Sequence, residues 1–384
     1  MEAESFVKVL ASEGVGLFCG VPDSLLKSFC AYLTDHAGRG FSHVITANEG
    51  GAVGLAAGHY LATGLPAVVY MQNSGQGNAV NPLASLADPD VYSIPMVLVV
   101  GWRGMPGVKD EPQHVKQGKI TVSLFETMGI PTEVLPDDDA AALAAAKAAV
   151  ARAKSESRPV ALVVKKGFFG EYRLKRREPD LAPIRREAVI EALVRALPAD
   201  AALVSTTGMI SREVYETRER LGQGHANDFL TVGSMGHALM IALGIARAQP
   251  KRKVVCLDGD GASIMQMGNM AIAGRSGCAN LCHVVLNNAA HDSVGGQPTL
   301  GGCLNFERLA RDFGYMVLEA DDEASLVDPV QIEADFRGIF ADLGEMGRPV
   351  FVAFKVAKGA RADLGRPKEP PAVNKSLFMQ TLAR

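Results

Sequence analysis

Two polar side chains that directly follow apolar segments are the residues of this sequence best suited to chemistry. Asp260 lies between two glycines just after the apolar run 254–257, and Asn288 ends the run 283–288, 28 positions further on. A helical stretch separates the runs, so the pattern predicts a β-α-β unit whose parallel strands end at one ligand-binding edge. A carboxylate and an amide oxygen suit Mg²⁺, and the glycines let the backbone approach a diphosphate. The sequence therefore predicts a metal-bridged diphosphate; the alternative is a glycine-rich turn followed by a helix-capping Asn pair.

The length and composition are typical of a soluble globular protein. The chain has 384 residues, enough for two domains, with 48% hydrophobic and 21% charged residues. A net charge of -3 and a pI near 6.3 argue against a nucleic-acid partner. No run approaches the ~20 apolar residues of a membrane span, and Glu2, Glu4 and Lys8 interrupt the N-terminus. We expect no membrane partner, no signal peptide and a cytoplasmic location.

The six cysteines include no CxxC pair, and Cys256 lies inside an apolar strand segment. We expect them to act as small apolar residues in a reducing compartment.

Apolar strands alternate with helical stretches along the whole chain, which predicts an α/β fold with two doubly wound parallel sheets. The predicted domains are residues 1–169 and 187–384, joined by a charged, proline-containing linker at 170–186. Both halves close with a helix, an Arg-Pro pair and an apolar strand. This shared order indicates that the chain contains one architecture twice. The alternative is a chance match between sequence patterns that are common in α/β proteins.

Two nucleotide-binding motifs are missing from the sequence. No G-x-x-x-x-G-K-[ST] loop occurs, and Gly75-Gln76-Gly77 lacks the third glycine of a dinucleotide fingerprint. A dinucleotide-dependent oxidoreductase is therefore disfavoured.

The Gly-Asp-Gly and Asn-Asn pair resembles the thiamine diphosphate signature of the pyruvate decarboxylase and acetolactate synthase superfamily. A narrower resemblance, to the phosphonopyruvate decarboxylase family, covers nearly the whole chain in order. It accounts for the length, because these enzymes have a pyrimidine-binding and a pyrophosphate-binding domain without a central domain. The segments that carry the narrower resemblance are 20–26, 110–114, 117–118, 287–288 and 291–299.

Glu49 follows the strand segment 43–46 and opens a helix of small residues. The resemblance implies that it is the catalytic carboxylate that hydrogen-bonds the aminopyrimidine ring of the cofactor. An acidic residue that complements the helix dipole is the alternative. A non-catalytic binding module would require this carboxylate to be incidental.

The resemblance also implies the remaining cofactor contacts. Met235 would wedge the two cofactor rings into a bent shape, and Thr207 with Gly208 would contact the diphosphate; core packing and an ordinary turn are the alternatives. Ala262 stands where many members have serine, and whether Ser263 substitutes is left open. The predicted cofactor-binding residues are Glu49, Thr207, Gly208, Gly233, Met235, Gly259, Asp260, Gly261, Ala262 and Asn288.

The metal ligands implied by the resemblance are Asp260, Asn288 and the backbone carbonyl of Ala290. Members of the superfamily commonly have glycine at the last of these positions. Alanine serves there provided that its φ is negative.

His114 and His291 lie in the segments most particular to the family, where an imidazole could relay a proton or pair with an anionic substrate. Turn-stabilising histidines are the alternative. Arg103, Lys109 and Lys116 could supply positive charge for a phosphonate, or could be ordinary surface cations. The predicted substrate-binding residues are Asp23, Ser24, Arg103, Gln113, His114, His291 and Ser293.

The resemblance implies a thiamine diphosphate- and Mg²⁺-dependent enzyme of phosphonate biosynthesis. Its small-molecule substrate would be 3-phosphonopyruvate, converted to phosphonoacetaldehyde and CO₂. It also implies a homodimer or homotetramer with the cofactor between subunits, Glu49 coming from one chain and Asp260 and Asn288 from another. The alternative is sulfopyruvate decarboxylase, whose substrate differs only in its anionic group, or another thiamine-dependent 2-oxo acid decarboxylase. Acetolactate synthase is disfavoured because the chain is too short for a central domain.

Overall fold

A computed structural model describes residues 1–176, 178–318 and 327–383. The chain divides into two compact units, Met1–Glu178 with Ser293–Gln297, and Pro179–Asp292 with Pro298–Arg384. Arg177 of the predicted linker, and residues 319–326 and Arg384 of the predicted second domain, lie outside the described residues. Among the helices of the described part of the chain, none is long and apolar enough to cross a membrane.

The first unit contains one parallel sheet of six strands, ordered β2-β1-β3-β4-β6-β5. Strands β3, β4 and β6 are apolar and buried along nearly their whole length because helices cover both faces of the sheet. The elements are α1 Ala3–Ser12, β1 Leu17–Gly20, α2 Lys27–His36, β2 Ser42–Ile45, α3 Glu49–Thr63, β3 Ala67–Gln72, α4 Gln76–Pro82, β4 Met96–Gly101, α5 Pro112–Thr127, β5 Thr132–Val134, α6 Asp139–Glu156 and β6 Pro159–Val164.

The second half contains another parallel sheet of six strands, ordered β13-β14-β10-β9-β7-β8, and a separate pair, β11 with β12. The elements are α7 Arg186–Ala196, β7 Ala202–Ser205, α8 Met209–Arg220, β8 Asp228–Leu230, α9 Ala238–Ala248, β9 Val254–Gly259, α10 Asp260–Met265, α11 Gly268–Gly274, β10 Leu281–Asn287, β11 Ala290–His291, β12 Gln297–Pro298, α12 Phe306–Phe313, β13 Met316–Val317, α13 Pro329–Asp342, β14 Val350–Lys355 and α14 Pro371–Leu382.

The two large sheets share one topology. When the strands of each sheet are numbered in chain order within their own half, both sheets read 2-1-3-4-6-5. In both halves the last strand of the large sheet, β6 or β14, begins at or just after an Arg-Pro pair that follows a long helix. The predicted α/β fold with two doubly wound parallel sheets is confirmed, and the described residues form no third domain.

Packing on both faces of the second large sheet fixes the positions of Asp260 and Asn288, which follow β9 and β10. In β9, Val255 and Leu257 enter one hydrophobic core, whereas Val254 and Cys256 enter the core on the opposite face. A one-residue slip would exchange these faces, so burial sets the strand register. Because β9 and β10 are parallel neighbours, the residues that follow them emerge at one edge.

Several predicted boundaries differ from the structure for local reasons. The sequence pattern predicts a helix from Pro329 to Met346, but α13 ends at Asp342 because Leu343 is extended and Gly344 has a φ of 112°. The single helical stretch expected between β9 and β10 forms two helices, α10 and α11, because the chain breaks at Gln266, where φ is -129° and ψ is 47°.

The six cysteines, which were expected to act as small apolar residues, differ in burial. Cys303 is exposed and Cys278 is half-buried, whereas Cys19, Cys30, Cys256 and Cys282 are buried and all six are free thiols.

The predicted linker is tied to the structure at both ends. Asp35 of α2 accepts hydrogen bonds from the backbone amides of Lys175 and Arg176, both at 2.9 Å. At the other end Ile184 is buried in the core of the second unit. The bounds 170–186 stay a prediction.

Candidate active site

Glu49 is the first residue of α3 in the first unit, and its carboxyl group is buried. The Asn48 side chain caps this helix by accepting from the Gly51 amide at 2.8 Å. Glu49 is only 4% exposed, and its Oε2 accepts a hydrogen bond from Asn78 Nδ2 at 2.7 Å. Burial raises the pKa of the Glu49 carboxyl, although the bond from Asn78 opposes the shift. The group therefore holds a proton more readily than an exposed glutamate does.

The turn between β3 and α4 encloses this carboxyl. A methyl group on Gly75 would overlap Glu49, so only glycine allows the turn to approach so closely. The same turn leads into α4, which carries Asn78. One loop thus supplies both the space and the hydrogen bond that hold Glu49.

A polar cluster occupies the strand ends beside β1 and β4. Asp23 is fully buried after β1 and accepts hydrogen bonds from Gln72 Nε2 at 2.6 Å and from the Leu25 amide at 3.1 Å. Burial raises the pKa of Asp23, although these donors lower it in part. The neighbouring Ser24 accepts from Arg103 Nη1 at 2.9 Å.

Arg103 forms a bidentate ion pair with Asp110. Its Nε and Nη2 donate to the two carboxylate oxygens at 2.8 and 2.5 Å. Burial alone would raise the pKa of Asp110, but the Arg103 hydrogen bond, the Gly104 amide and the nearby positive charge of Arg103 together outweigh burial and bring that pKa to about 2. A substrate anion would therefore share the donors of a paired guanidinium. Lys109 and Lys116, the other predicted cations, are both exposed.

His114 and Gln113 lie in the first turn of α5. Burial lowers the pKa of His114 to about 4, and the nearby Arg103 charge lowers it further than burial alone would. The imidazole is therefore neutral near pH 7. His114 Nδ1 and Gln113 Oε1 are buried, and neither has a hydrogen-bond partner among the described residues. Both atoms are available to a ligand.

Asp260 begins α10 directly after β9 and is 3% exposed. Burial raises the pKa of its carboxyl to about 6 even though the Thr299 hydroxyl donates to Oδ2. A methyl group on Gly301 would overlap the same carboxylate, so this glycine lets a backbone segment lie against it. A cation bound here would offset the cost of keeping the carboxylate ionised.

Asn288 follows β10, and its side chain is held from both sides. Nδ2 donates to Asp292 Oδ2 at 2.6 Å, and Oδ1 accepts from the Ala290 amide at 3.0 Å. Ala290 lies in the extended β11, and the positive φ of this turn, 54°, falls on Ala289. The backbone condition set for alanine at position 290 is therefore met.

A buried ion-pair network supports Asp292. Arg186 donates to Asp292 Oδ2 at 3.1 Å, and it also binds both carboxylate oxygens of Glu213, at 2.7 and 2.9 Å. The Gly359 amide donates to the same Asp292 oxygen at 2.9 Å. These contacts orient Asn288 through a residue that is not itself a predicted ligand.

The backbone at Gly261 brings two more predicted residues together. A methyl group placed on Gly261 would lie 3.3 Å from His291 Cε1 and 3.4 Å from Met235 Cε. Burial lowers the pKa of His291 to about 4, so this imidazole is also neutral near pH 7. An imidazole and a thioether thus flank the Gly-Asp-Gly turn.

The remaining predicted residues lie in the turns around Thr207 and Ala262. Its hydroxyl accepts from the Gly233 amide at 3.0 Å, and Gly208, with a φ of 100°, precedes α8. Ala262 is buried, and the Ser263 hydroxyl next to it is buried with no hydrogen-bond partner in the described part of the chain. Ser293 is exposed.

These residues fit a Mg²⁺ ion with a diphosphate. Asp260, Asn288 and the Ala290 carbonyl offer only oxygen ligands, which Mg²⁺ prefers. The unpartnered Ser263 hydroxyl and the glycine backbones beside Asp260 are suited to phosphate oxygens.

Comparison with known proteins agrees with this chemistry. The model of the thiamine pyrophosphate enzyme N-terminal TPP binding domain matches residues 2–127, and that of the C-terminal TPP binding domain matches residues 206–353. The phosphonopyruvate decarboxylase of Streptomyces viridochromogenes is 35% identical over 96% of this chain and 92% of its own length. The chain belongs to the thiamine pyrophosphate enzyme family.

Two further relatives extend the comparison. The phosphonopyruvate decarboxylase of Streptomyces hygroscopicus is 34% identical over 97% of this chain and 91% of its own length. The sulfopyruvate decarboxylase of Methanosarcina acetivorans is 26% identical over 77% of this chain and 78% of its own length. The chain is a carboxy-lyase of this family, and the predicted family, enzyme class and thiamine cofactor are confirmed.

Four contacts of the candidate site were missed by the sequence interpretation. Asn78 donates to Glu49, Thr299 donates to Asp260, Asp292 accepts from Asn288, and Asp110 pairs with Arg103. Asp110, Asp292 and Thr299 lie in the segments that carry the family resemblance, so that resemblance was the available signal. Asn78 had none beyond its closeness to the Gly75-Gln76-Gly77 turn.

Proposed function

We propose that this chain decarboxylates 3-phosphonopyruvate to phosphonoacetaldehyde and CO₂ with thiamine diphosphate and Mg²⁺. The observation that carries the proposal is the polar cluster of Asp23, Ser24, Arg103, Gln113 and His114. An enzyme for pyruvate needs apolar surface where the substrate methyl group lies, whereas a phosphonate needs hydrogen-bond donors. The relatives named phosphonopyruvate decarboxylase also share more identity with the chain, 35% and 34%, than the sulfopyruvate relative, 26%.

The buried acids have distinct roles in this proposal. Asp260, Asn288 and the Ala290 carbonyl would hold Mg²⁺, and Thr207, Gly208 and Gly261 would lie against the diphosphate. When bound, thiamine diphosphate supplies a nucleophilic carbon and an acceptor for the electrons that remain as CO₂ leaves. Glu49 would share a proton with the pyrimidine ring, a role suited to a carboxyl whose pKa is raised by burial.

The substrate anion would be held by hydrogen bonds. Ser24, Arg103, Gln113 and His114 lie at one polar cluster of the first unit, and His291 lies beside Gly261 in the second. Because His114 and His291 are neutral in the free protein near pH 7, each can donate only one N–H until an anion raises its pKa. Proton delivery by either histidine would therefore begin after the substrate binds.

Two copies of the chain would complete each site. The proposed carboxylate, Glu49, belongs to the first unit, and the proposed metal ligands belong to the second. We propose that the first unit of one copy meets the second unit of another, which makes a homodimer the smallest active form. The six free thiols support a reducing, cytoplasmic environment.

Sulfopyruvate is the second candidate substrate. The relative from Methanosarcina acetivorans supports it, and a sulfonate would accept the same hydrogen bonds. A phosphonate can carry two negative charges near neutral pH and a sulfonate only one. The paired Arg103 and the neutral histidines would therefore distinguish these substrates through charge.

The proposal is tested by measuring CO₂ release from 3-phosphonopyruvate. We expect release only when thiamine diphosphate and Mg²⁺ are both present, together with stoichiometric phosphonoacetaldehyde. Release that is independent of either component, or no release at all, would overturn the proposal.

A further inference from the structure

A second group of metal-ligating side chains lies beneath the strand end that carries Asp260. Cys256 and Asp258 project from β9 and His283 from β10, and all three side chains are buried. Their thiol, carboxylate and imidazole ligand atoms lie within 4.8 Å of one another, with His283 Nε2 3.7 Å from Asp258 Oδ2. Cys256 and His283 are direct neighbours across the ladder. The sheet itself therefore holds the three groups together.

His283 gives independent evidence for a ligand. Its side chain is fully buried, and neither ring nitrogen has a hydrogen-bond partner among the residues that the structure describes. A buried polar atom without a hydrogen-bond partner destabilises the folded state, so such an arrangement calls for a partner. The Tyr315 hydroxyl is likewise buried and unpaired, and its ring centroid lies 6.2 Å from that of His283.

We propose that Cys256, Asp258 and His283 bind one Zn²⁺-type divalent ion that is distinct from the Mg²⁺ ion expected at Asp260. Sulfur, nitrogen and oxygen donors together are typical of zinc, whereas Mg²⁺ avoids thiolate. A thiolate and a carboxylate also balance the charge of a divalent ion. The complex would thus be neutral, which is what an apolar core tolerates.

The observed spacing needs only a small contraction to fit this ion. Zinc bonds of about 2.0 to 2.3 Å place the ligand atoms of a tetrahedral site roughly 3.3 to 3.8 Å apart. The 3.7 Å between His283 and Asp258 already lies in that range. The Tyr315 hydroxyl is buried and unpaired among the described residues, and its ring centroid lies 6.2 Å from that of His283, so this group would supply the fourth ligand. The ion would join β9 to β10 two residues before Asp260.

The test uses the whole chain, stripped with a chelator and dialysed against Zn²⁺ or Co²⁺. We expect about one zinc per chain by elemental analysis, and a thiolate-to-metal charge-transfer band in the cobalt protein. Cys256→Ser and His283→Gln should each abolish the band. Cys282→Ser is the matched control because Cys282 is also buried, adjacent to His283, but packs in the opposite core. It should keep the band.

A second control separates this site from the proposed catalytic metal. Asp260→Asn should keep both the zinc and the cobalt band, since an oxygen-only site gives no thiolate band. Loss of the band in Asp260→Asn, or its persistence in Cys256→Ser, would overturn the proposal. The wild-type cobalt spectrum requires no variant to fold, and a spectrum without the band would also refute the proposal.

Discussion

The side-chain amide nitrogen of Asn288 donates to Oδ2 of Asp292 across 2.6 Å, and this oxygen is also held by Arg186 at 3.1 Å. The orientation of a proposed metal ligand is thus set by a buried ion pair behind it. We predict that Asp292→Ala lowers the affinity for Mg²⁺, measured by calorimetry with thiamine diphosphate present, by about 10- to 100-fold. Asp312→Ala, at an exposed position of the same unit, should bind as wild type does. Equal affinities in all three proteins would contradict the positioning role.

Glu49→Gln should preserve cofactor binding and slow activation of the cofactor. An amide fills the same space and can still interact with Asn78, but it cannot share a proton with a ring nitrogen. We predict that hydrogen–deuterium exchange at the thiazolium carbon, followed by NMR after acid quench, slows by about 10²- to 10⁴-fold. Glu126→Gln, an exposed change in the same unit, is the control. Wild-type exchange in Glu49→Gln would place the activating group elsewhere.

Acid should destabilise the protein partly through His114. Burial holds its pKa near 4, below the ordinary value of 6.5, so the unfolded chain binds the proton more readily. The associated stability is fully present above pH 6.5 and is lost as the pH falls toward 4. Between pH 7 and 4.5, wild type should lose roughly 2 kcal/mol more unfolding free energy than His114→Gln.

Urea unfolding at the two pH values measures this difference. His237→Gln is the matched control, since His237 is exposed, and it should lose as much stability as wild type. Parallel losses in wild type and His114→Gln would show that His114 is not held neutral by burial.

Sites shared between chains predict complementation between two inactive variants. Glu49→Gln leaves the second unit intact, and Asp260→Asn leaves the first unit intact. After the two variants are mixed and allowed to exchange subunits, half of the dimers are mixed and each has one intact site. Activity should therefore reach about a quarter of the wild-type value. Mixed dimers that form without regaining activity would show that each site is built within one chain.

Sequence periodicity was sufficient to predict the sheets and the strand-end positions of Asp260 and Asn288. Buried parallel strands read as apolar runs, and parallel pairing forces the residues that follow β9 and β10 to one edge. The start of α3 at Glu49 was also close to the expected position, because Asn48 is a typical capping residue.

Hydrogen-bond partners contributed by loops could not be predicted in the same way. The pairing of Arg103 with Asp110 depends on the path of a loop that has no periodic pattern, and the reach of Thr299 to Asp260 depends on a second such loop. The cluster of Cys256, Asp258 and His283 was hidden because strand neighbours are set by topology rather than by sequence distance. Taken alone, each of these three residues is simply a member of a segment that the sequence predicts to be a buried strand.

Substrate choice tests the central claim most directly. The measurement is kcat/KM of the wild-type protein, with thiamine diphosphate and Mg²⁺, for 3-phosphonopyruvate, sulfopyruvate and pyruvate. Charge-assisted hydrogen bonds are worth about 1.5 to 3 kcal/mol each, so two or three to the phosphonate should favour it over pyruvate by several orders of magnitude. His114→Ala and His291→Ala should lower the value for phosphonopyruvate far more than for pyruvate. The account predicts that 3-phosphonopyruvate is the best of the three substrates; a higher value for sulfopyruvate would contradict the assignment and leave only the decarboxylase class.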